Sequence, residues 1–262
     1  MNKVFIALTS LFLLTACNDE AKPSVGEEVE FIELEFDDLT VEAIIDSVYM
    51  RSGSGLIDKS NIYFDFRDFE YAHVIGDYGI ERSRKFTNEK GEAIEDLWVG
   101  DSLKRTINGK MVKLSAKEER AYKNSINSVF YFGFLPKALK DPAVNTELID
   151  EVEVNGKMYY KIKVTFDEEG GGEDFQDIFL YWIGIEDFGM DYMAYQYFTE
   201  GGGIRFRATD KVQEVNGILF RDYLNYGPKE DMMDDYINVD KAYVSGELKL
   251  VSEIRLENIE VN

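Results

Sequence analysis

The chain has 262 residues, 45% hydrophobic and 31% charged, with 29 Lys+Arg against 51 Asp+Glu and a net charge of −22. A surface this acidic repels phosphate backbones, which excludes nucleic-acid binding by counterion release. One His and one Cys exclude disulfides and Cys/His zinc clusters.

Residues 1–17 read MNKVFIALTSLFLLTAC. Lys3 opens a short basic region, and Val4 to Leu14 is apolar apart from Thr9 and Ser10. That run is about half of the roughly 20 residues a membrane-spanning helix needs, so it reads as a secretory signal. Leu14-Thr15-Ala16-Cys17 resembles the bacterial lipobox. The resemblance implies cleavage before Cys17, a diacylglycerol on its sulfur and attachment to the membrane through that lipid. The expected organisation is a signal peptide over 1–16, a lipidated tether over 17–28 and one β-rich domain over 29–262. Asn18 after the cysteine resembles the enteric sorting signal for the outer membrane. The acidic domain is repelled by anionic head groups, so the lipid alone is expected to hold this envelope protein.

Val29 to Phe36 (VEFIELEF) alternates acidic and apolar residues, which predicts an extended segment. Val41, Ile44, Ile45, Val48 and Tyr49 form one apolar stripe of a helix. Asp38 or Thr40 can cap it, and Gly53 and Gly55 stop it. From Asn61 onward the periodicity is two: in NIYFDFRD, Ile62, Phe64 and Phe66 alternate with Tyr63, Asp65 and Arg67. Asn108-Gly109, Asn155-Gly156 and Asn216-Gly217 each sit between two such runs and predict three two-residue hairpins. A second helix interrupts the strands: Ser115 and Glu118 make a capping box, followed by Ala121, Tyr122, Ser125, Ile126, Val129 and Phe130 on one face. It stops at Pro136. Strands resume after Lys140, with an acidic loop at 229–235 and a last strand near 248–260. This order predicts a mainly β (α+β) fold: one strongly curved antiparallel sheet or half-barrel with covering helices on one side. Both faces of the later strands are apolar, so both must be covered or must enclose something.

The runs YYKIKVTF, FQDIFLYWIG, MAYQYFTEGGGIRFR and VNGILFRDYLNY, with Phe64, Phe66 and Arg67 as an FxFR element, carry a resemblance over residues 40–227. They resemble a group of uncharacterised Bacteroidota lipoproteins. The wider architecture resembles the LolA/LolB/LppX half-barrels, which implies a sheet lidded by helices around an apolar cavity for acyl chains.

Spacing of two within each strand assigns Ile178, Leu180, Trp182, Tyr195, Tyr197, Ile204, Phe206 and Phe220 to one face, the expected ligand-binding lining. Val129, Phe130, Phe132, Phe134 and Leu135 form an apolar run at the end of the second helix, the expected lid. Arg205, Arg207, Arg221 and Asp222 are expected to form a buried polar network or to meet the anionic head group of a ligand; the network is the favoured reading. His73, alone in a strand, reads as a core residue. The acidic run 167–174 lacks the alternate spacing of a calcium loop and reads as a hairpin loop. Gly53 and Gly55 follow a helix, so no dinucleotide fingerprint exists. No catalytic residue, metal or cofactor is assigned. The expected function is non-catalytic binding of a hydrophobic or lipidic molecule. The alternatives are a structural or protein-interaction lipoprotein with a filled core and, third, a hydrolase using paired carboxylates.

Overall fold

The computed structural model describes residues 39–171, 175–198 and 201–262. Cys17, the signal and Val29 to Phe36 lie outside the described residues, as does the end of the acidic run, 172–174. Thr40 to Asn262 form one folded unit.

Helix α1 spans Val41–Arg51, and the Thr40 hydroxyl accepts from the Ala43 N–H at 3.2 Å. Ile44, Ile45 and Val48 of its apolar stripe are buried. Gly53 ends it with φ +64°, and a Cβ there would stand 1.8 Å from the Gly217 carbonyl oxygen. Only glycine satisfies both conditions.

Two seven-stranded antiparallel sheets come next. The first contains β1 (Ile62–Phe66), β2 (Phe69–Gly76), β3 (Gly79–Thr87), β4 (Ala93–Val99), β5 (Ser102–Ile107), β6 (Lys110–Val112) and the last strand β14 (Glu257–Val261). Its order is β14-β1-β2-β3-β4-β5-β6. The second contains β7 (Val144–Val154), β8 (Lys157–Phe166), β9 (Ile178–Gly184), β10 (Met190–Tyr197), β11 (Gly203–Val215), β12 (Ile218–Pro228) and β13 (Leu248–Ile254). Its order is β13-β12-β11-β10-β9-β8-β7. Only Arg255 and Leu256 separate β13 from β14, so one run of chain forms the edge of both sheets. Among the described residues the fold is mainly β and antiparallel, with no closed barrel. The single sheet expected from the sequence is a pair of sheets joined at this edge.

The three Asn-Gly turns connect β5 to β6, β7 to β8 and β11 to β12. Asn108, Asn155 and Asn216 all have positive φ, as do the glycines after them. That is the backbone twist a two-residue hairpin requires.

Helix α2 (Ala116–Gly133) starts at the Ser115–Glu118 capping box. It lies against the first sheet. Ile126, Phe130 and Phe134 pack there with Ile62, Phe64, Tyr71, Leu103 and Leu256. A charged cluster joins them. Asp96 is fully buried and accepts from Arg84 Nη2 at 2.7 Å and Arg105 Nε at 2.6 Å. Arg84 also donates to the Ser125 hydroxyl of α2, and Arg105 lies 3.5 Å from the centre of the Tyr122 ring. Through Arg84 and Arg105 the buried carboxylate ties β3, β4 and β5 to α2.

The long β11–β12 hairpin serves both cores. A bulge at Asp210 interrupts its ladder. On one side of the bulge Phe206 and Ala208 join the core of the second sheet. On the other, Val215, Ile218 and Phe220 join the core under α2. An extra residue in one strand raises the local twist and re-aims the side chains beyond it. A final helix, α3 (Val239–Val244), with the 3-10 turn Met233–Asn238 before it, covers the second sheet. This helix stands where only a loop and a strand are expected from the sequence.

Candidate functional site

Pairing register decides what each face of the second sheet carries. Tyr195 stands opposite Phe179 on β9 and Arg205 on β11, and Ala194 stands opposite Leu180 and Phe206. Tyr195 and Tyr197 therefore lie on the face opposite Leu180, Trp182, Ile204 and Phe206. This corrects the expected common lining. Phe220 leaves it as well: it is in step with Leu224 and Tyr226 along β12, but it stands further along the long hairpin and packs in the α2 core.

The Trp182 face is a filled core. Leu180, Trp182 and Phe206 have no exposed surface, and Ile178 packs beside them. Tyr236, Val239 and Ala242 close the face from above. Trp182 meets Phe206 edge-on at 5.4 Å, and Tyr243 stacks on Phe206 at 4.6 Å. The indole N–H donates to Asp240 Oδ2 at 3.2 Å.

The Tyr195 face is built differently. Phe179, Tyr181, Met193, Tyr195, Arg205 and Arg207 share it by register. The end of α2 lies across it. Phe132 meets Tyr195 at 5.4 Å and Phe179 at 6.4 Å between ring centres. The Tyr131 hydroxyl pairs with that of Tyr181 at 3.1 Å. Burial holds the Tyr131 and Tyr181 hydroxyls well above the ordinary phenol range. The residues of the expected lid thus part company. Val129, Phe130 and Phe134 go to the first sheet and Phe132 to the second. Leu135 is buried, and its carbonyl accepts from Arg221 Nη1 at 3.3 Å. The segment is a wedge between two sheets. Phe132, Tyr195, Tyr197 and Arg205 remain half-buried, and Phe198 is exposed at the rim.

The four residues of the expected polar network do not form one. Asp222 accepts from the Leu256 N–H at 2.9 Å and from the Gln213 side chain, in the core where the two sheets join. Arg205 bonds the carbonyl of Ile204 and lies over the Tyr197 ring. Arg221 is 4% exposed and donates to the Met190 and Leu135 carbonyls and to the Ser52 hydroxyl. Burial lowers its affinity for its proton.

Arg207 is 7% exposed and lies between two rings, 3.9 Å from the centre of Phe132 and 5.3 Å from that of Tyr195. Its Nη2 reaches the Tyr195 hydroxyl at 3.4 Å. Its Nε is buried with no hydrogen-bond partner among the described residues, like Tyr223 Oη and Asn225 Oδ1 on the neighbouring strand. Asn225 stands directly opposite Arg207 in the ladder, and Tyr223 is two residues away on the same face. Neither Arg207 nor Arg221 has a carboxylate within 4 Å among the described residues. The sequence carries a signal for this site in the alternation of Arg205 and Arg207 with Ile204 and Phe206. Alternation separates the two faces of a strand, but it does not say which of them meets the end of α2.

Two open grooves flank the β11–β12 hairpin, and both are charged. One of about 430 Å³ is lined by Arg51, Asp191, Glu214, Leu219 and Arg221 among others. The other, of about 320 Å³, is lined by Asp210, Lys211, Gln213, Asp222, Arg255 and Glu257 among others. Neither is lined by the apolar residues expected to line a ligand cavity; of the expected polar residues, Arg221 borders the first and Asp222 the second.

Residues 57–256 match the model of a family described as a family of unknown function (DUF6503). The chain belongs to that family. No curated protein matches it. Among solved structures it is similar to a LolA superfamily protein from Nitrosomonas europaea, with 11% identity, a TM-score of 0.45, and coverage of 86% of this chain and 94% of that one. A putative outer membrane lipoprotein-sorting protein domain from Vibrio parahaemolyticus gives 7% identity, a TM-score of 0.40, and 84% and 93% coverage. The Mycobacterium tuberculosis lipoprotein LppX gives 9% identity, a TM-score of 0.29, and 62% and 91% coverage.

Proposed function

We propose that this DUF6503 protein is an envelope lipoprotein that binds a hydrophobic or lipidic molecule without chemical change, on the Tyr195 face beneath the end of α2. The observation that carries this reading is the half-buried aromatic surface of Phe132, Tyr195 and Tyr197, set around a buried guanidinium with no carboxylate among the described residues. Ligand sites join apolar walls to a few placed polar groups, and this face has both. The opposite face is closed by α3 and its side chains, so the ligand belongs between α2 and β9–β11.

A second reading has a specific observation in its favour: the solid core around Trp182 suits a structural or interaction lipoprotein with no ligand. Native mass spectrometry and Nile red binding on Cys17→Ser protein separate the two. The first reading expects co-purified lipid, or dye uptake that Phe132→Ser weakens about tenfold. Absence of lipid together with absence of dye uptake leaves the second.

A further inference from the structure

We infer that the Tyr195 face takes an anionic amphiphile, an apolar chain carrying a carboxylate or phosphate, with its head on Arg207. This rests on the reading of that face as a binding surface for an apolar molecule, and it names the chemistry that surface selects.

Arg207 is buried from water on a strand interior, where an unpaired charge is costly. Its compensation is two aromatic faces and one tyrosine hydroxyl. Ring faces attract a cation but accept no hydrogen bond of ordinary strength. The Nε–H is left with nothing to donate to. Tyr223 Oη, two residues along the neighbouring strand on the same face, is a second buried donor without an acceptor. An anionic oxygen accepts from both. Asn225 Oδ1, the third unpaired atom, adds a place for a hydroxyl or amide N–H on the same head.

Other buried cations in the chain make the contrast. Arg84 is also buried and, with the half-buried Arg105, receives Asp96. Lys161 receives Asp240. Arg221 has no carboxylate either, but it gives its N–H groups to two carbonyls and a hydroxyl. Arg82, whose Nε is likewise unpaired, is less buried and reaches the Asn127 side-chain oxygen. With 51 acidic residues in the sequence, the chain has the means to give Arg207 a carboxylate, and none of the described residues does so. Phe132, next to Gly133 at the end of α2, is the cap. It is half-buried, and moving its ring aside uncovers the guanidinium from the side of Tyr195 and Tyr197. The head then enters toward Arg207, and the chain lies along the tyrosines toward Phe198. The net charge of −22 opposes the arrival of an anion. That field is screened beyond about 8 Å at physiological salt, whereas a buried ion pair is screened much less.

Displacement of Nile red from Cys17→Ser protein by laurate, dodecyl phosphate, dodecanol and dodecylamine at pH 7.5 tests this. Laurate or dodecyl phosphate should bind at least tenfold more tightly than dodecanol, and dodecylamine most weakly. The better of the two anions identifies the head. Arg207→Gln should bring the preferred anion level with dodecanol while leaving dodecanol unchanged. In the unaltered protein the Arg207 Nε–H resonance should move with the anion and stay in place with dodecanol, a readout that does not depend on the variant folding. Equal displacement by the anions and dodecanol, or an unmoved Nε–H, overturns the assignment of the head and leaves the apolar site standing. Failure of all four compounds to displace bound dye, or failure of the dye to bind at all, overturns the site itself.

Discussion

Lys161 Nζ lies 2.9 Å from Asp240 Oδ1, and both side chains are about 5% exposed or less. The pair ties β8 to α3 across the Trp182 face. Trp182 gives its N–H to the other Asp240 oxygen, and the ammonium also meets the Ile237 carbonyl. α3 has six residues, too few to stand as a helix alone. The pair and the apolar residues Val239 and Ala242 fix it in place.

Removal of one member should therefore cost more than removal of both. Asp240→Leu leaves Lys161 buried without its carboxylate and should cost about 3–5 kcal/mol. The double variant Lys161→Met/Asp240→Leu should recover most of that loss. Urea unfolding of the wild type, Asp240→Leu, Lys161→Met and the double variant measures the difference. An additive pair of effects would mean that the ion pair is not what holds α3.

Much of this fold is legible in the sequence because its signals are local. The Ser115–Glu118 capping box, the stripe of α1 and the three Asn-Gly turns each depend on residues a few positions apart, and all form as expected. α3 is not legible, because VDKAYV offers less than two turns of periodicity and is held by Lys161, which is 79 residues from Asp240. The assignment of Tyr195 to the Trp182 face fails for a related reason. β9 and β10 are joined by Ile185 to Gly189, not by a two-residue turn, so sequence spacing sets no register between them. Ladder pairing places Tyr195 against Phe179. The expected polar network fails on an alternation the sequence itself carries. Arg221 is in step with Asn225, the partner of Arg207, whereas Asp222 points to the other side of β12 and accepts from the Leu256 N–H.

Gly53→Ala should be among the most damaging single-methyl changes in the chain. The added carbon would overlap the Gly217 carbonyl oxygen, and φ +64° is strained for alanine. Gly53 leads directly into the contact that joins α1 to β12, where the Leu219 N–H donates to the Ser52 carbonyl at 3.0 Å. A loss of more than about 3 kcal/mol in denaturant unfolding is expected from strain and overlap together. Gly91→Ala, at a positive φ in open space, should cost only about 1 kcal/mol.

Cys17→Ser should release the protein from membranes, since the lipid on Cys17 is the proposed anchor. Among the described residues no helix is long and apolar enough to cross a bilayer. Fractionation with a high-salt wash provides the measurement. If the variant stays in the membrane pellet after the wash, the lipid is not the anchor.

His73 should make the stability of the fold depend on mild acid. Its ring is fully buried on β2, edge-on to Phe134 at 5.2 Å and near Phe130 at 6.1 Å. Burial first, and the Arg82 charge second, lower its pKa to about 4, against a smaller opposing pull from Asp58. The unfolded chain titrates near the ordinary value of about 6.5. Between those values the unfolded state holds a proton that the folded state lacks, so stability rises with pH across the window. Stability is fully present above pH ~6.5 and falls as the pH drops toward 4. The loss from this one group reaches about 3 kcal/mol at most, at about 1.4 kcal/mol per pH unit. Many carboxylates titrate in the lower half of the window, so the measurement is a difference between two proteins. His73→Phe keeps an aromatic ring against Phe134 and removes the proton site. Urea midpoints taken from pH 7 to pH 4.5 should diverge, with the wild type losing ground to His73→Phe as the pH falls. Parallel curves for the two proteins would show that the buried imidazole does not govern the acid limb.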